Sequence, residues 1–161
     1  MRAAAIHECG GQAATTAARF FALVCTALIL APSIAHLASL PAKISMDRAS
    51  YFAAQAAYRG WALFGIGFVL AIAANLWLAV QVRGRRGPFV FAIAATVLLL
   101  VTLGVFFSWV QPANAVTENW TVMPENWSDW RRQWEHGHAV IAVVTFAGFC
   151  CTALAVSFVR R

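Results

Sequence analysis

Four long apolar segments that contain no lysine, arginine, aspartate or glutamate dominate the sequence. They cover residues 20–40, 60–82, 88–110 and 139–159. At about 1.5 Å per residue, each is long enough as an α-helix to cross a hydrocarbon core about 30 Å thick. Strands of a membrane barrel would instead alternate polar and apolar residues over about ten positions. The segments therefore predict an all-α, integral membrane four-helix bundle.

The charged residues are few and are unevenly placed. Only 11% of the residues are charged and 61% are hydrophobic, yet the net charge is +6. Arginines fill the turn between the second and third segments and close the chain: Arg83, Arg85, Arg86, Arg160 and Arg161. Because cytoplasmic loops carry an excess of Lys and Arg, we expect both termini inside and residues 41–59 and 111–138 outside. The basic charge thus indicates membrane orientation, with the lipid bilayer as partner and no nucleic acid.

The spacing of the segments leaves room for one domain. We expect a flexible cytoplasmic tail at residues 1–18 and a single transmembrane domain at residues 19–161, in the inner (cytoplasmic) membrane of the cell. A secretory signal ending near Ala35 is the less favoured interpretation, since the apolar segment continues to Leu40.

Small and polar residues within the segments predict how the helices pack. Ala27, Ala31 and Ala35 are four residues apart and would form one packing face of the first helix. Gly67 suits close approach of the second helix. Asn75, at membrane depth, predicts an interhelical hydrogen bond.

Polar groups recur at the outer end of every helix. His36 lies near the outer limit of the first helix, Arg59 opens the second, Asn114 follows the third and His138 opens the fourth. An antiparallel bundle brings these ends together around a central opening, where bundles often bind ligands. We therefore expect His36 and His138 to face each other in a shared chamber.

A tryptophan-rich stretch precedes the fourth segment. Helical spacings of three, four and four put four aromatic residues on one face of a helix continuous with that segment: Trp127, Trp130, Trp134 and His138. Asn126 is the expected cap of this short interfacial helix, and Gly137 is expected to let it tilt. Membrane interfaces also collect tryptophan for solvation reasons alone, but here the tryptophans concentrate on the outer side.

A metal site can be built from His36, Glu135 and His138. Two histidines and a carboxylate form the facial arrangement of non-haem iron oxygenases. Glu135 also lies four residues after Arg131 and can instead pair with it. Haem held by the two histidines is a further alternative, without an attachment motif. We favour no cofactor.

In the metal-free interpretation, His36 or His138 is a base, and Arg59 or Arg131 stabilises a phenolate or enolate oxyanion. Aromatic and amide side chains around them would hold a flat substrate: Tyr58, Asn114, Trp120, Trp127 and Trp134.

The residues "HLASLPAKI" (36–44), "YRGW" (58–61) and "PANAVTENWTVMPENWSDWRRQWEHGHA" (112–139) resemble a family of small bacterial four-helix membrane proteins grouped with the anthrone oxygenases. The resemblance implies a membrane pocket for an electron-rich aromatic and, in the polyketide enzymes, oxidation by dioxygen without metal or flavin. It assigns His36, Asn114, Trp127, Arg131, Trp134 and His138 to matching motif positions. The longer "NWT" segment departs from the shorter enzymes and leaves the substrate open.

Two functions from different classes follow. The first is a membrane-embedded binding protein or oxygenase for a flat phenol-, anthrone- or quinone-like ligand. The second is a non-catalytic accessory subunit of a larger membrane complex. Transport is less favoured because proton relays generally need acidic residues at membrane depth.

Overall fold

The structure, a computed structural model, describes the backbone of residues 2–158 and the side chains from Gly11 to Phe158. The six α-helices of this range are α1 Arg2–Ile44, α2 Arg48–Gln55, α3 Phe64–Val82, α4 Arg86–Val105, α5 Gln111–Val116 and α6 Trp127–Ser157. Two 3₁₀ turns, Ala56–Tyr58 and Trp61–Leu63, lead into α3. A π-helical segment, Phe106–Val110, joins α4 to α5.

The prediction of an all-helical chain with four long apolar helices is confirmed. The stretches long and apolar enough to cross a membrane are Gly11–Ile44, Trp61–Val82, Arg86–Val116 and Trp127–Ser157. Three of them extend beyond the predicted limits, the third by two residues at its start and six at its end. The first continues through Pro41 to Ile44, and the fourth includes the whole Trp-rich stretch from Trp127 onward.

The ends of the chain bear on two other predictions. The backbone is helical from Arg2, so α1 runs through most of the segment expected to be a flexible tail. Val159, Arg160 and Arg161, which the predicted fourth span and the charge argument included, lie outside the described residues. The cytoplasmic position of both termini stays a prediction.

The four long helices form a closed ring of neighbours. α1 packs against α3 and α6, and α4 packs against the same two helices from the opposite corner. One end of the bundle carries α2, α5, the two 3₁₀ turns and the beginning of α6; we call it the Trp-rich end.

The predicted packing face of α1 is wrong. Ala27, Ala31 and Ala35 are all exposed on the side of the bundle. The buried side instead carries Ala18, Ala22, Thr26, Ile29, Ser33, His36 and Lys43. A stripe of small residues can pack or face lipid at little cost, whereas an imidazole and an ammonium group are costly to expose to lipid and are placed inside the bundle. The polar residues therefore determine how α1 is rotated.

The predicted interhelical bond of Asn75 is confirmed. Its Nδ2 donates to Thr26 Oγ1 at 3.0 Å, and its Oδ1 accepts from Thr152 Oγ1 at 2.8 Å. The side chain is fully buried. Asn75 thus joins α1, α3 and α6 in the middle of the bundle.

Two glycines permit close packing between helices. A Cβ at Gly67 would lie 2.9 Å from Ile29 Cγ2, as the predicted close approach requires. A Cβ at Gly137 would lie 2.8 Å from Val110 Cγ2. The sequence predicted a tilt at Gly137, but α6 is continuous through this residue. The missing side chain of Gly137 instead allows the π-helical segment to pack closely against α6. Asn126 occupies the cap position of α6 but its side chain makes no capping hydrogen bond.

Candidate functional site

The two imidazoles expected to face each other are in direct contact at the Trp-rich end. His36 on α1 and His138 on α6 stack with ring centroids 4.1 Å apart and an interplanar angle of 18°. His36 is buried and His138 is partly buried. α1 and α6 therefore meet through their histidines.

Three aromatic rings enclose the imidazole pair. Trp134 lies 5.1 Å from His36 and 4.2 Å from His138 between ring centroids. Tyr58 and Trp61, from the two 3₁₀ turns, lie 4.6 and 5.2 Å from His36. Stacked rings leave no space for a flat ligand between the imidazoles. The expected central opening is thus wrong at this point, because the protein's own side chains occupy it.

A buried ion pair lies beside the imidazoles. Lys43 Nζ is 2.8 Å from Glu135 Oε2, with the two side chains 4% and 0% exposed. Tyr51 donates its hydroxyl hydrogen to Glu135 Oε1 at 3.0 Å. The Lys43 ammonium also lies 5.1 Å from the ring centre of Tyr58 and 5.0 Å from that of Trp134. Pairing and cation–π contacts offset the large cost of burying these charges.

The pKa of Tyr51 is raised far above its ordinary value. Burial is the largest cause, followed by the negative charge of Glu135 and the hydrogen bond to it. Each of these favours the neutral phenol over the phenolate. Tyr51 is therefore a hydrogen-bond donor to Glu135 across the physiological pH range.

Several polar atoms of this centre have unused hydrogen-bonding capacity. Among the described residues, His36 Nδ1 has no hydrogen-bond partner, and Lys43 Nζ and Glu135 Oε2 have none beyond their mutual ion pair. Buried polar atoms are nearly always satisfied by protein or by ordered water. Capacity for a further polar partner is thus present next to the aromatic rings.

Arg131 does not join the imidazoles as expected. Its Nη1 donates to the backbone oxygen of Met46 at 2.6 Å. Its guanidinium lies over the rings of Trp127 and Tyr51, at 4.6 and 5.4 Å. Arg131 therefore anchors the turn between α1 and α2, and Lys43 is the cation at the centre of the site.

Arg59 also lies apart from the imidazoles. It is therefore not placed to stabilise an oxyanion there, as the sequence had suggested. It follows the first 3₁₀ turn, and its side chain is exposed. The sequence argument treated it as the first residue of a regular helix, but α3 begins only at Phe64. The two 3₁₀ turns and Gly60, with φ of 86°, carry Arg59 outward.

The remaining expected ligand-binding residues form a layer around the centre. Trp134 Nε1 donates to Asn114 Oδ1 at 2.8 Å. Trp120 lies 5.9 Å from Trp134 and 5.1 Å from Tyr51 between ring centroids. Trp127 lies 6.2 Å from Tyr51. This layer holds Trp134 and Tyr51 in place.

The π-helical segment helps to position that layer. One extra residue per turn leaves backbone groups without their regular helical partners, and Gln133 Nε2 donates to the backbone oxygen of Trp109 at 2.8 Å. This contact ties α6 to the segment that precedes Asn114.

The geometry does not fit the facial iron site. Both carboxylate oxygens of Glu135 face other partners, Tyr51 and Lys43, and neither faces the histidines. Within the described residues, no group of three or more His, Cys, Asp or Glu side chains could hold a metal ion. The alternative pairing of Glu135 with Arg131 is replaced by the pair with Lys43. Face-to-face stacking also does not fit haem held between the imidazoles, since axial ligands approach the iron from opposite sides.

Sequence reasoning missed Lys43, Tyr51 and Trp61 as members of the centre. Lys43 was assigned to the outer segment 41–59 because the uncharged apolar segment ends at Leu40, and Tyr51 carried no positional signal. The spacing of His36 and Lys43, seven residues or two helical turns, was the available signal that they share a face.

Comparison of the chain with protein-family models, with curated proteins and with solved structures gives no match.

Proposed function

We propose that this chain is a multi-pass protein of the inner membrane, with its Trp-rich end facing outward, that binds a flat phenol-, anthrone- or quinone-like ligand beside the His36–His138 pair. The family resemblance suggested this ligand class.

The observation that carries the proposal is the composition of one buried layer. Two imidazoles, an ion pair and a phenol lie there in contact with indole and phenol rings. Buried ionisable groups at membrane depth are expensive and are commonly functional. A phenolic ring offers this layer what it lacks, namely a flat face for stacking and an oxygen for the unused polar atoms.

The ligand would enter from the side of the 3₁₀ turns. Tyr58 and Trp61 cover His36 there. Gly60 between them has a positive φ, a backbone conformation that glycine adopts without strain. A ligand ring that displaces one of these two side chains would stack on His36 without separating the two imidazoles. Its hydroxyl group would lie near Lys43, whose positive charge favours a phenolate oxygen.

In the catalytic form of this proposal, an imidazole takes a proton from the ring carbon of an anthrone-like substrate. The resulting anion reacts with dioxygen, and the ring CH₂ becomes C=O with release of water. Lys43 stabilises the enolate oxygen in place of the arginines expected from the sequence.

Ligand binding is tested by quenching of tryptophan fluorescence with anthrone in detergent-solubilised protein. We expect saturable quenching in the wild type and at least about tenfold weaker binding in His36→Ala and His138→Ala, because a stacking partner is lost. His136→Ala is the matched control, since His136 is exposed on the same helix and its Nδ1 lies 2.7 Å from the Arg132 backbone oxygen, one turn earlier. Equal affinity in all four proteins would contradict the binding site.

Catalysis is tested separately by dioxygen consumption with the same compound. Consumption above the protein-free rate that is lost in His36→Ala and His138→Ala but kept in His136→Ala supports an oxygenase. Saturable anthrone binding without dioxygen consumption above the protein-free rate would identify a binding protein and contradict the catalytic step.

One observation favours the accessory-subunit alternative. The rings of Tyr58, Trp61 and Trp134 already enclose the imidazoles, as in a centre that stabilises the fold. Stoichiometric co-purification with a large membrane complex in mild detergent, together with no anthrone binding, would support that function.

A further inference from the structure

A groove of about 410 Å³ lies at the Trp-rich end, outside the imidazole centre. Its walls come from α2, from Arg59 and from the loop between α5 and α6. The lining includes Phe52, Gln55, Arg59, Asn119, Trp120 and Met123. The imidazole proposal uses none of this space.

Two buried polar side chains line the groove without a normal partner. Gln55 is 5% exposed, and neither its amide nitrogen nor its amide oxygen has a hydrogen bond among the described residues. Trp120 is 7% exposed, and its Nε1 is likewise unpaired. Gln55 also faces the Tyr51 hydroxyl and acts to lower its pKa, but this contact lacks the length and angle of a normal hydrogen bond. Unpaired donors at a groove wall indicate a missing acceptor.

The charge at the groove favours an anion. Arg59 lines it with an exposed guanidinium, and Arg48 Nη2 donates to the Met123 backbone oxygen at 3.2 Å in the adjoining loop. Asp47 and Glu118 are exposed near these segments and are not among the lining residues. Together with the amide of Gln55 and the indole of Trp120, Arg59 supplies hydrogen-bond donors that suit an oxyanion.

The loop that presents Trp120 is held in an unusual conformation. Glu118, Asn119 and Trp120 have φ of 47°, 56° and 65°, in the left-handed region that side chains other than glycine rarely adopt. The Trp120 backbone nitrogen donates to Thr117 Oγ1 at 3.1 Å. The chain thus places Trp120 in the groove wall at a conformational cost.

We propose that this groove binds the anionic head group of a membrane lipid, through its phosphate or carboxylate oxygens. Trp120 Nε1, the Gln55 amide and Arg59 donate to the head group. Phe52 and Met123 provide apolar wall, and Met123 and Leu63 are large exposed apolar side chains suited to acyl chains. The inference shares the membrane location with the proposed function but does not depend on the imidazole site.

The test is native mass spectrometry of the full chain after partial delipidation, with phosphatidylglycerol, phosphatidylcholine, palmitate or inorganic phosphate added back. We expect retention of phosphatidylglycerol or palmitate over phosphatidylcholine. Arg59→Gln and Trp120→Phe should each reduce that retention about tenfold, because the first removes the positive charge and the second removes the indole N–H donor. Arg132→Gln is the matched control, an exposed arginine of the same end that pairs with Asp129 outside the groove.

The outcomes separate the sources of the anion. Preferential retention of either lipid anion, lost in Arg59→Gln and kept in Arg132→Gln, supports the site. Binding of inorganic phosphate with no lipid preference would overturn the assignment to a lipid. Equal retention in Arg59→Gln, Trp120→Phe and Arg132→Gln would overturn the groove as the binding site, even if His36→Ala and His138→Ala behave as proposed above.

Discussion

At the scale of single residues, the strongest physical constraint is the burial of two opposite charges at one end of the bundle. Lys43 and Glu135 have almost no exposed surface and contact each other, a phenol and two aromatic faces. Removing one partner leaves the other charge buried without compensation, and this costs far more than the pair itself contributes.

We therefore expect Lys43→Met or Glu135→Gln alone to lower the free energy of unfolding by about 3–5 kcal/mol. The double variant should lose much less than the sum, because it leaves no unpaired charge. Denaturant unfolding in a fixed detergent measures both. Asp129 and Arg132 form the matched exposed pair, with side chains 63% and 57% exposed, so Arg132→Gln should cost only about 0–1 kcal/mol. Additive losses at Lys43 and Glu135 would contradict the buried pair.

Tyr51 gives a pH-dependent prediction. Its folded-state pKa is raised, mainly by burial and then by Glu135, so the folded protein keeps the phenol proton at pH values where an unfolded chain releases it. The contribution of Tyr51 to stability is fully present below about pH 10 and falls as the pH rises above that value.

The measurement uses Tyr58→Phe, in which Tyr51 is the remaining tyrosine of the chain. Ultraviolet titration of the folded variant should show no phenolate near pH 10–11, where free tyrosine is largely ionised. The phenolate band should appear after denaturation at the same pH. A normal tyrosine titration in the folded protein would show that Tyr51 is not buried against Glu135.

At the scale of helices, the sequence predicts which segments are helical better than it predicts which side faces inward. Uncharged runs of sufficient length identified all four long helices. The rotation of α1 was wrong because Ala27, Ala31 and Ala35 are compatible with either side. Thr26 and Ser33 satisfy their hydroxyls on the backbone oxygens of Ala22 and Ile29, and this polar side is the one that faces inward.

The rotation of α1 is testable with two matched substitutions. Ala22→Leu should destabilise the protein by about 1–3 kcal/mol, because Ala22 is fully buried and a larger side chain overpacks the core. Ala27→Leu should change stability by less than about 0.5 kcal/mol, since Ala27 is exposed on the same helix. Unfolding measurements that reverse this order would restore the face expected from the alanine spacing.

The site was partly predictable for a related reason. His36 and His138 were found because both lie near the same end of two long helices, and position along a regular helix follows directly from residue number. The predicted position of Arg59 was wrong because two 3₁₀ turns replace the expected start of the helix. No residue pattern in the sequence indicated these turns. Lys43 was missed because α1 continues to Ile44, beyond Leu40, where the uncharged apolar segment and the predicted helix end.

At the scale of the whole molecule, the bundle has two chemically different ends. One carries the imidazoles, the buried ion pair and most of the tryptophans. The other carries the short turn with Arg83, Arg85 and Arg86. This asymmetry predicts the orientation in the membrane by the positive-inside tendency.

Cysteine labelling measures that orientation in intact spheroplasts. In a chain whose native cysteines are replaced by alanine, Glu125→Cys should react with a membrane-impermeant maleimide. Gly84→Cys should react only after permeabilisation. Both positions are exposed, and a Cβ at Gly84 meets nothing within 4 Å. Labelling of Gly84→Cys alone in intact cells would reverse the topology.

The ion pair between Lys43 and Glu135 also constrains the order of biosynthesis. Lys43 is on α1, which leaves the ribosome before α6, the helix that carries Glu135. Until α6 arrives, the ammonium group lacks this counter-ion and must remain in contact with water or lipid phosphate. Closure of the Trp-rich end is therefore expected only after α6 has been synthesised, and a nascent chain truncated before α6 should remain accessible to proteases at that end.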